Sequence, residues 1–211
     1  GPLLILQSNG GAASLEDAVD RPVNLLLSGP AAAVGALEHC RSTLGGDSLL
    51  SMEIGGTSCD VMLMSEGRVA SRDTVDVAGY PIGIPAIEIH SVGAGGGTLA
   101  KIDAGGLLVV GPEGAGADPG PACYGLGGDR PTITDAQMVL GRMRSGSYAR
   151  GAVSLDIDLA RRSIDEQVAG PAGLDVETAA QGIVQLLEQR LVQAVERLSV
   201  ERGIDARGLT L

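Results

Sequence analysis

A chain of 211 residues with 44% hydrophobic content has room for one large domain or two small ones, and its core must be built without Phe or Trp and with only three Tyr. The net charge of −11 excludes a nucleic-acid surface, which clusters Lys and Arg, and disfavours docking on an anionic membrane. Three cysteines, Cys40, Cys59 and Cys123, are odd in number and far apart, which fits a reduced, cytoplasmic setting better than a disulfide framework.

In chain order, Leu3–Leu6 reads as a short buried strand and Gln7-Ser8-Asn9-Gly10-Gly11 as a polar turn. Ser14 is placed to cap a short helix with Asp17 in its first turn, which Arg21-Pro22 breaks. Val23–Leu27 is strand-like and runs into Ser28-Gly29-Pro30-Ala31-Ala32, where Ser28 or Gly29 caps a helix continuing to about Ser42. A strand, a small-residue turn and a helix start suit an anion, or equally a close helix–sheet packing.

Leu49–Met64 holds two apolar runs around Gly55-Gly56-Thr57-Ser58, with Glu53 and Asp60 on either side. Glycines there allow close backbone approach, Thr57 and Ser58 add hydroxyls, and successive N–H groups can cradle an anion. The acids can supply oxygen ligands to a metal accompanying a phosphate. A plain β-hairpin is the other reading. The second run returns through Ser65-Glu66-Gly67 into an arm over Arg68–Val77.

Ala86–Val92 alternates like a strand and ends in Gly93-Ala94-Gly95-Gly96-Gly97. Thr98–Asp103 and Leu107–Val110 are two further strands, followed by a long Gly-, Pro- and Asp-rich loop from Gly111 to Pro131. Thr134 or Asp135 caps a short helix through about Gly141. Leu155–Val168 is helical in pattern, and Asp175–Arg202 is one long helix with a stripe of Ile183, Val184, Leu187, Leu191, Ala194, Val195 and Leu198. Gly203 is its C-cap, and Leu209–Leu211 looks like the start of a strand. The division expected is a single domain over 1–211, with an α/β phosphate-loop and Gly/Pro-rich part over 1–150 and a helical segment over 151–208.

Taken together, Gln7–Gly11, Ser28–Ala32, Ile54–Ser58, the run from His90 through Gly97 to Gly116–Gly125, and Pro131–Ala136 resemble the hydantoinase A / 5-oxoprolinase family, which includes acetone and acetophenone carboxylase subunits. The resemblance implies an α/β fold, a ribonuclease H-like, actin/Hsp70-type ATPase lobe with Gly-rich loops and C-terminal helices. It implies ATP with Mg²⁺ as cofactor and ATP-dependent opening of a cyclic amide of the hydantoin or 5-oxoproline type. A ketone carboxylase subunit and a non-catalytic nucleotide-dependent switch are the alternatives.

On this resemblance Gly55, Gly56, Thr57 and Ser58 form the second phosphate loop, Gly95 and Gly96 also bind the nucleotide, and Glu53 and Asp60 are the catalytic acids. The first phosphate loop is expected in a missing N-terminal lobe, so the isolated fragment is expected to be inactive. A hydantoinase B-type subunit is the expected partner and a small molecule the substrate. His90, Asp118, Cys123 and Asp135 lie in family motifs and are candidate ligands for an additional divalent metal. Alternatively His90 caps a strand end, the two Asp bond to N–H groups and Cys123 is buried. Four positions depart from the family pattern: Glu53 stands for a usual Asp, Cys59 for Thr, Ala33 for Gly and Gln137 for Asn.

Overall fold

The computed structural model describes residues 1–211, which divide into two compact units. The first comprises Gly1–Glu53, Asp60–Ser91 and Val195–Leu211, and the second Ile54–Cys59 and Val92–Ala194. The chain passes repeatedly from one to the other, so neither is a continuous stretch.

In the first unit, β1 (Leu4–Leu6) and β2 (Ala12–Ser14) form an antiparallel hairpin with Leu4 opposite Ser14. Among the described residues β1 pairs only with β2, and Leu4 stands 59% exposed where a buried strand is expected. Gly10 turns the hairpin at φ +78°, a conformation that a side chain would strain. Ser14 caps α1 (Leu15–Asp20), its Oγ accepting the Asp17 N–H at 3.1 Å.

The expected strand over Val23–Leu27 is instead a 3₁₀ turn over Pro22–Leu25. Pro22 fixes φ at its start, and buried Ser8 captures the Asn24 carbonyl with both its N–H (2.7 Å) and its hydroxyl (2.6 Å). The next helix comes in two pieces, α2 (Ser28–Ala31) and α3 (Ala33–Leu44).

β3 (Leu49–Ile54) and β4 (Cys59–Ser65) are the two predicted apolar runs. β5 (Arg68–Val69) pairs with β4 antiparallel across Glu66 and Gly67, both at positive φ. The expected single arm breaks up: β6 (Ser71–Arg72) leaves that pairing, and β7 (Val75–Val77) forms its own hairpin with β8 (Tyr80–Ile82). β9 (Ala86–Ile87) then pairs with β6, and β10 (His90–Val92) joins the main sheet in the order β10-β4-β3. Leu37 and Ala33 of α3 pack with Leu49, Met62, Met64, Ile87 and Ile89. Methionines and aliphatics thus fill the place that aromatics would take, as the composition requires.

In the second unit, β11 (Thr98–Ile102) and β12 (Leu108–Gly114) form an antiparallel hairpin, closed by the Asp103 carboxylate accepting the Gly105 and Leu107 N–H groups at 2.9 Å. β12 runs further than predicted and shortens the loop. α4 (Ile133–Val139) is capped by Thr132, two residues before the expected Thr134 and three before Asp135, with Asp135 completing a capping box. β13 (Gly146–Tyr148) and β14 (Val153–Leu155) precede α5 (Ile157–Ile164), which packs on α4 and continues through a π-turn into α6 (Gly170–Ala172).

α7 (Val176–Arg202) is the predicted long helix, and Ile183, Val184, Leu187 and Leu191 of its stripe are buried. Its last residues belong to the first unit. There Gly203, at φ +64°, donates to the Val200 carbonyl while Ile204 donates to Ser199, the paired bonds of a Schellman cap. Thr210 then bridges Leu49 in parallel, which extends the sheet of the first unit as the sequence suggests. Among the described residues no helix is long and apolar enough to cross a membrane.

Candidate functional site

The Gly55–Ser58 turn belongs to the second unit, as does the glycine run that follows β10. Within the turn the Gly55 N–H donates to the Ser58 carbonyl at 2.8 Å. Behind it the glycine run holds the turn by its backbone: the Gly96 N–H donates to the Gly55 carbonyl at 2.9 Å and the Gly97 N–H to the Gly56 carbonyl at 2.7 Å. This contact needs glycine. A Cβ on Gly95 would lie 2.6 Å from the Gly55 oxygen and 2.8 Å from the Thr57 nitrogen, and one on Gly97 would lie 2.9 Å from the Gly56 oxygen.

Two threonines fix the run in turn. Thr98 Oγ1 accepts the Gly95 N–H at 2.7 Å, and Thr134 donates both its N–H (2.8 Å) and its hydroxyl (2.9 Å) to the Gly96 carbonyl. Sequence reasoning missed both residues. The one signal was position, Thr98 directly after the glycines and Thr134 at a helix start.

The outer side of the turn is different. Gly55, Gly56 and Thr57 are exposed, and among the described residues nothing accepts the Gly56 or Thr57 N–H. A Cβ built on Gly56 meets nothing within 4 Å. The chain's own packing therefore constrains Gly95 and Gly97 but leaves Gly56 free of any steric demand. An anion or the oxygen of a ligand can take N–H groups that the chain itself leaves without an acceptor.

Glu53 ends the first-unit part of β3 and is exposed; Asp60 is half-buried on β4 and accepts a hydrogen bond from the Ser91 hydroxyl at 2.5 Å. Ala33 is a core residue of the first unit, packed with Leu37 and Met62.

The four candidate metal ligands separate. His90 lies in the first unit with its imidazole 3.4 Å from the Glu88 carboxylate, which also pairs with Arg202. Asp118 is exposed in the loop of the second unit. Cys123 and Asp135 are together and fully buried, but the Asp135 carboxylate is occupied: it accepts the N–H groups of Cys123 (2.7 Å), Ala122 (3.3 Å) and Thr132 (2.8 Å) and the Thr132 hydroxyl (2.7 Å). Burial, with the Asp135 charge beside it, pushes the Cys123 thiol far above its ordinary value, so it stays protonated. Among the described residues no three His, Cys, Asp or Glu side chains are grouped to hold a metal ion. Elsewhere in this unit a cavity of about 200 Å³ lies between the 120s loop and α5, lined by Ala122, Asp129, Leu159, Arg162, Ser163 and Glu166.

A family model described as hydantoinase/oxoprolinase matches residues 1–211. The chain is 41% identical over 210 residues to caprolactamase subunit alpha of Pseudomonas jessenii, covering 100% of this chain and 30% of that protein. The crystal structure of the ATP-dependent caprolactamase from Pseudomonas jessenii superposes with a TM-score of 0.84 over 98% of this chain and 30% of its own. Nucleotide-free acetone carboxylase, described with ATP-dependent acetone carboxylation, gives a TM-score of 0.86 at 29% identity over 99% of this chain and 29% of its own. This chain thus spans less than a third of the length of these relatives.

Proposed function

The chain belongs to the hydantoinase/oxoprolinase family, and from that premise we propose that it is the phosphate-binding portion of an ATP-dependent cyclic amide hydrolase subunit, folded as a ribonuclease H-like lobe of the actin/Hsp70 type. The supporting observation is the Gly55–Ser58 turn: Gly56 and Thr57 are exposed with no acceptor for their N–H groups among the described residues, while the Gly55 and Gly56 carbonyls are held by Gly96 and Gly97. Such a turn meets a phosphate without reorganising, and phosphoryl transfer depends on positioning and electrostatics.

Bound ATP with Mg²⁺ would supply the phosphoryl group that, placed on the amide oxygen, makes the amide carbon a better electrophile for water. The residues present suit that cofactor, since the turn offers N–H and hydroxyl donors and its flanks offer carboxylate oxygens. Gly56 admits close approach of a phosphate, Thr57 and Ser58 add hydroxyl contacts, and Gly95 and Gly96 act behind the turn by holding it. Glu53 and Asp60 neighbour the turn along the chain; Asp60 would hold the metal and Glu53 would orient water. Glu53 reaches one methylene further than the Asp that the family resemblance leads one to expect. His90 and Asp135 have other tasks and are left out of this site.

The relative at 41% identity is named a caprolactamase, which favours a lactam or related cyclic amide as substrate. Its designation as subunit alpha favours a partner subunit, here of hydantoinase B type. The structural likeness to acetone carboxylase supports the second reading, a ketone carboxylase subunit. The full-length protein, with its partner, separates them: ATP hydrolysis stimulated by caprolactam, hydantoin or 5-oxoproline supports the hydrolase. Stimulation only by a ketone with bicarbonate favours the carboxylase, and failure to bind ATP refutes both.

A further inference from the structure

We infer that Ser91 is a positioning residue for the Asp60 carboxylate, holding one oxygen so that the other is presented to a divalent cation. The inference rests on the reading of Asp60 as a metal-holding group. Asp60 and Ser91 are 31 positions apart, on β4 and the adjacent strand β10 of one unit. The Ser91 hydroxyl donates to Asp60 Oδ1 at 2.5 Å. Among the described residues no donor reaches Oδ2.

Packing does not require this bond. Ser91 is exposed and Asp60 only half-buried, so water could satisfy both groups and the bond avoids no large desolvation cost. What it does supply is orientation, because a carboxylate fixed at one oxygen loses its rotation. Neighbouring His90 does not share the task, since its imidazole is turned to Glu88 at 3.4 Å. A hydroxyl that orients a ligating carboxylate acts as an outer partner of the metal, and loss of such a partner weakens metal binding by about 10- to 100-fold.

The test is titration of Mn²⁺, in place of Mg²⁺, into the full-length protein with a non-hydrolysable ATP analogue, following free Mn²⁺ by electron paramagnetic resonance. Ser91→Ala is expected to raise the Mn²⁺ dissociation constant about tenfold with an unchanged urea midpoint. Ser91→Thr, which keeps the hydroxyl, is expected to restore tight binding, a rescue that a purely structural role would not give. If Asp60→Asn weakens Mn²⁺ binding and Ser91→Ala does not, the positioning role is overturned while the metal role of Asp60 stands. If neither substitution changes Mn²⁺ binding, Asp60 holds no metal and the inference falls with it.

Discussion

Replacing Gly95 with Ala tests whether the glycine run is the mechanical support of the Gly55–Ser58 turn. The new methyl group would sit 2.6 Å from the Gly55 oxygen, 2.8 Å from the Gly56 carbonyl carbon and 2.8 Å from the Thr57 nitrogen. All three are backbone atoms, so no side chain can swing aside. Overpacking of this kind costs about 1–3 kcal/mol. Withdrawal of the turn also strains the Gly96 and Gly97 hydrogen bonds at 2.9 and 2.7 Å, each contributing about 0.5–1.5 kcal/mol. The expected loss is therefore about 2–6 kcal/mol, read as a lower urea midpoint at unchanged m-value. Gly56→Ala is the control: its Cβ meets open space, and its midpoint should stay within about 0.5 kcal/mol of wild type. Gly95→Ala with a wild-type midpoint would show that the two backbones are not stacked as described.

Asp135→Ala removes the acceptor of four hydrogen bonds in a fully buried position. It should destabilise by about 3–5 kcal/mol in urea unfolding, and Asp135→Asn should recover little, because its amide NH₂ would face donors. A thiol-alkylating reagent should label exposed Cys40 on the native protein and spare buried Cys123, which mass mapping reads directly. The Arg207 guanidinium, bonded to Asp205, lowers that carboxyl to about 2. A depressed carboxyl stabilises the fold above its unfolded value, near 4, and that contribution fades as pH falls toward about 2. The Tm difference between wild type and Arg207→Ala should accordingly be present at pH 6 and shrink on acidification.

The sequence announced most where the pattern is local. The Leu49–Met64 runs, the Ser14 cap and the buried stripe of α7 follow from alternation, capping chemistry and helical period, and all three are found. It was silent where the outcome depends on distant partners. Val23–Leu27 has strand-like residues, yet Ser8 claims the Asn24 carbonyl and Pro22 starts a 3₁₀ turn. Nothing in the Gly95–Gly97 run announced its backbone partner, which is the turn 40 positions earlier. Asp135 reads as a helix cap or as a metal ligand, and the four donors around it favour the anchoring role.

The central claim is that the Gly55–Ser58 turn binds the phosphates of ATP. Gly56 isolates it, since nothing in the fold requires glycine there. Calorimetric titration of Mg²⁺·ATP into the full-length protein should show binding weakened at least about tenfold by Gly56→Ala, with the urea midpoint unchanged. Wild-type affinity in that variant would contradict the claim.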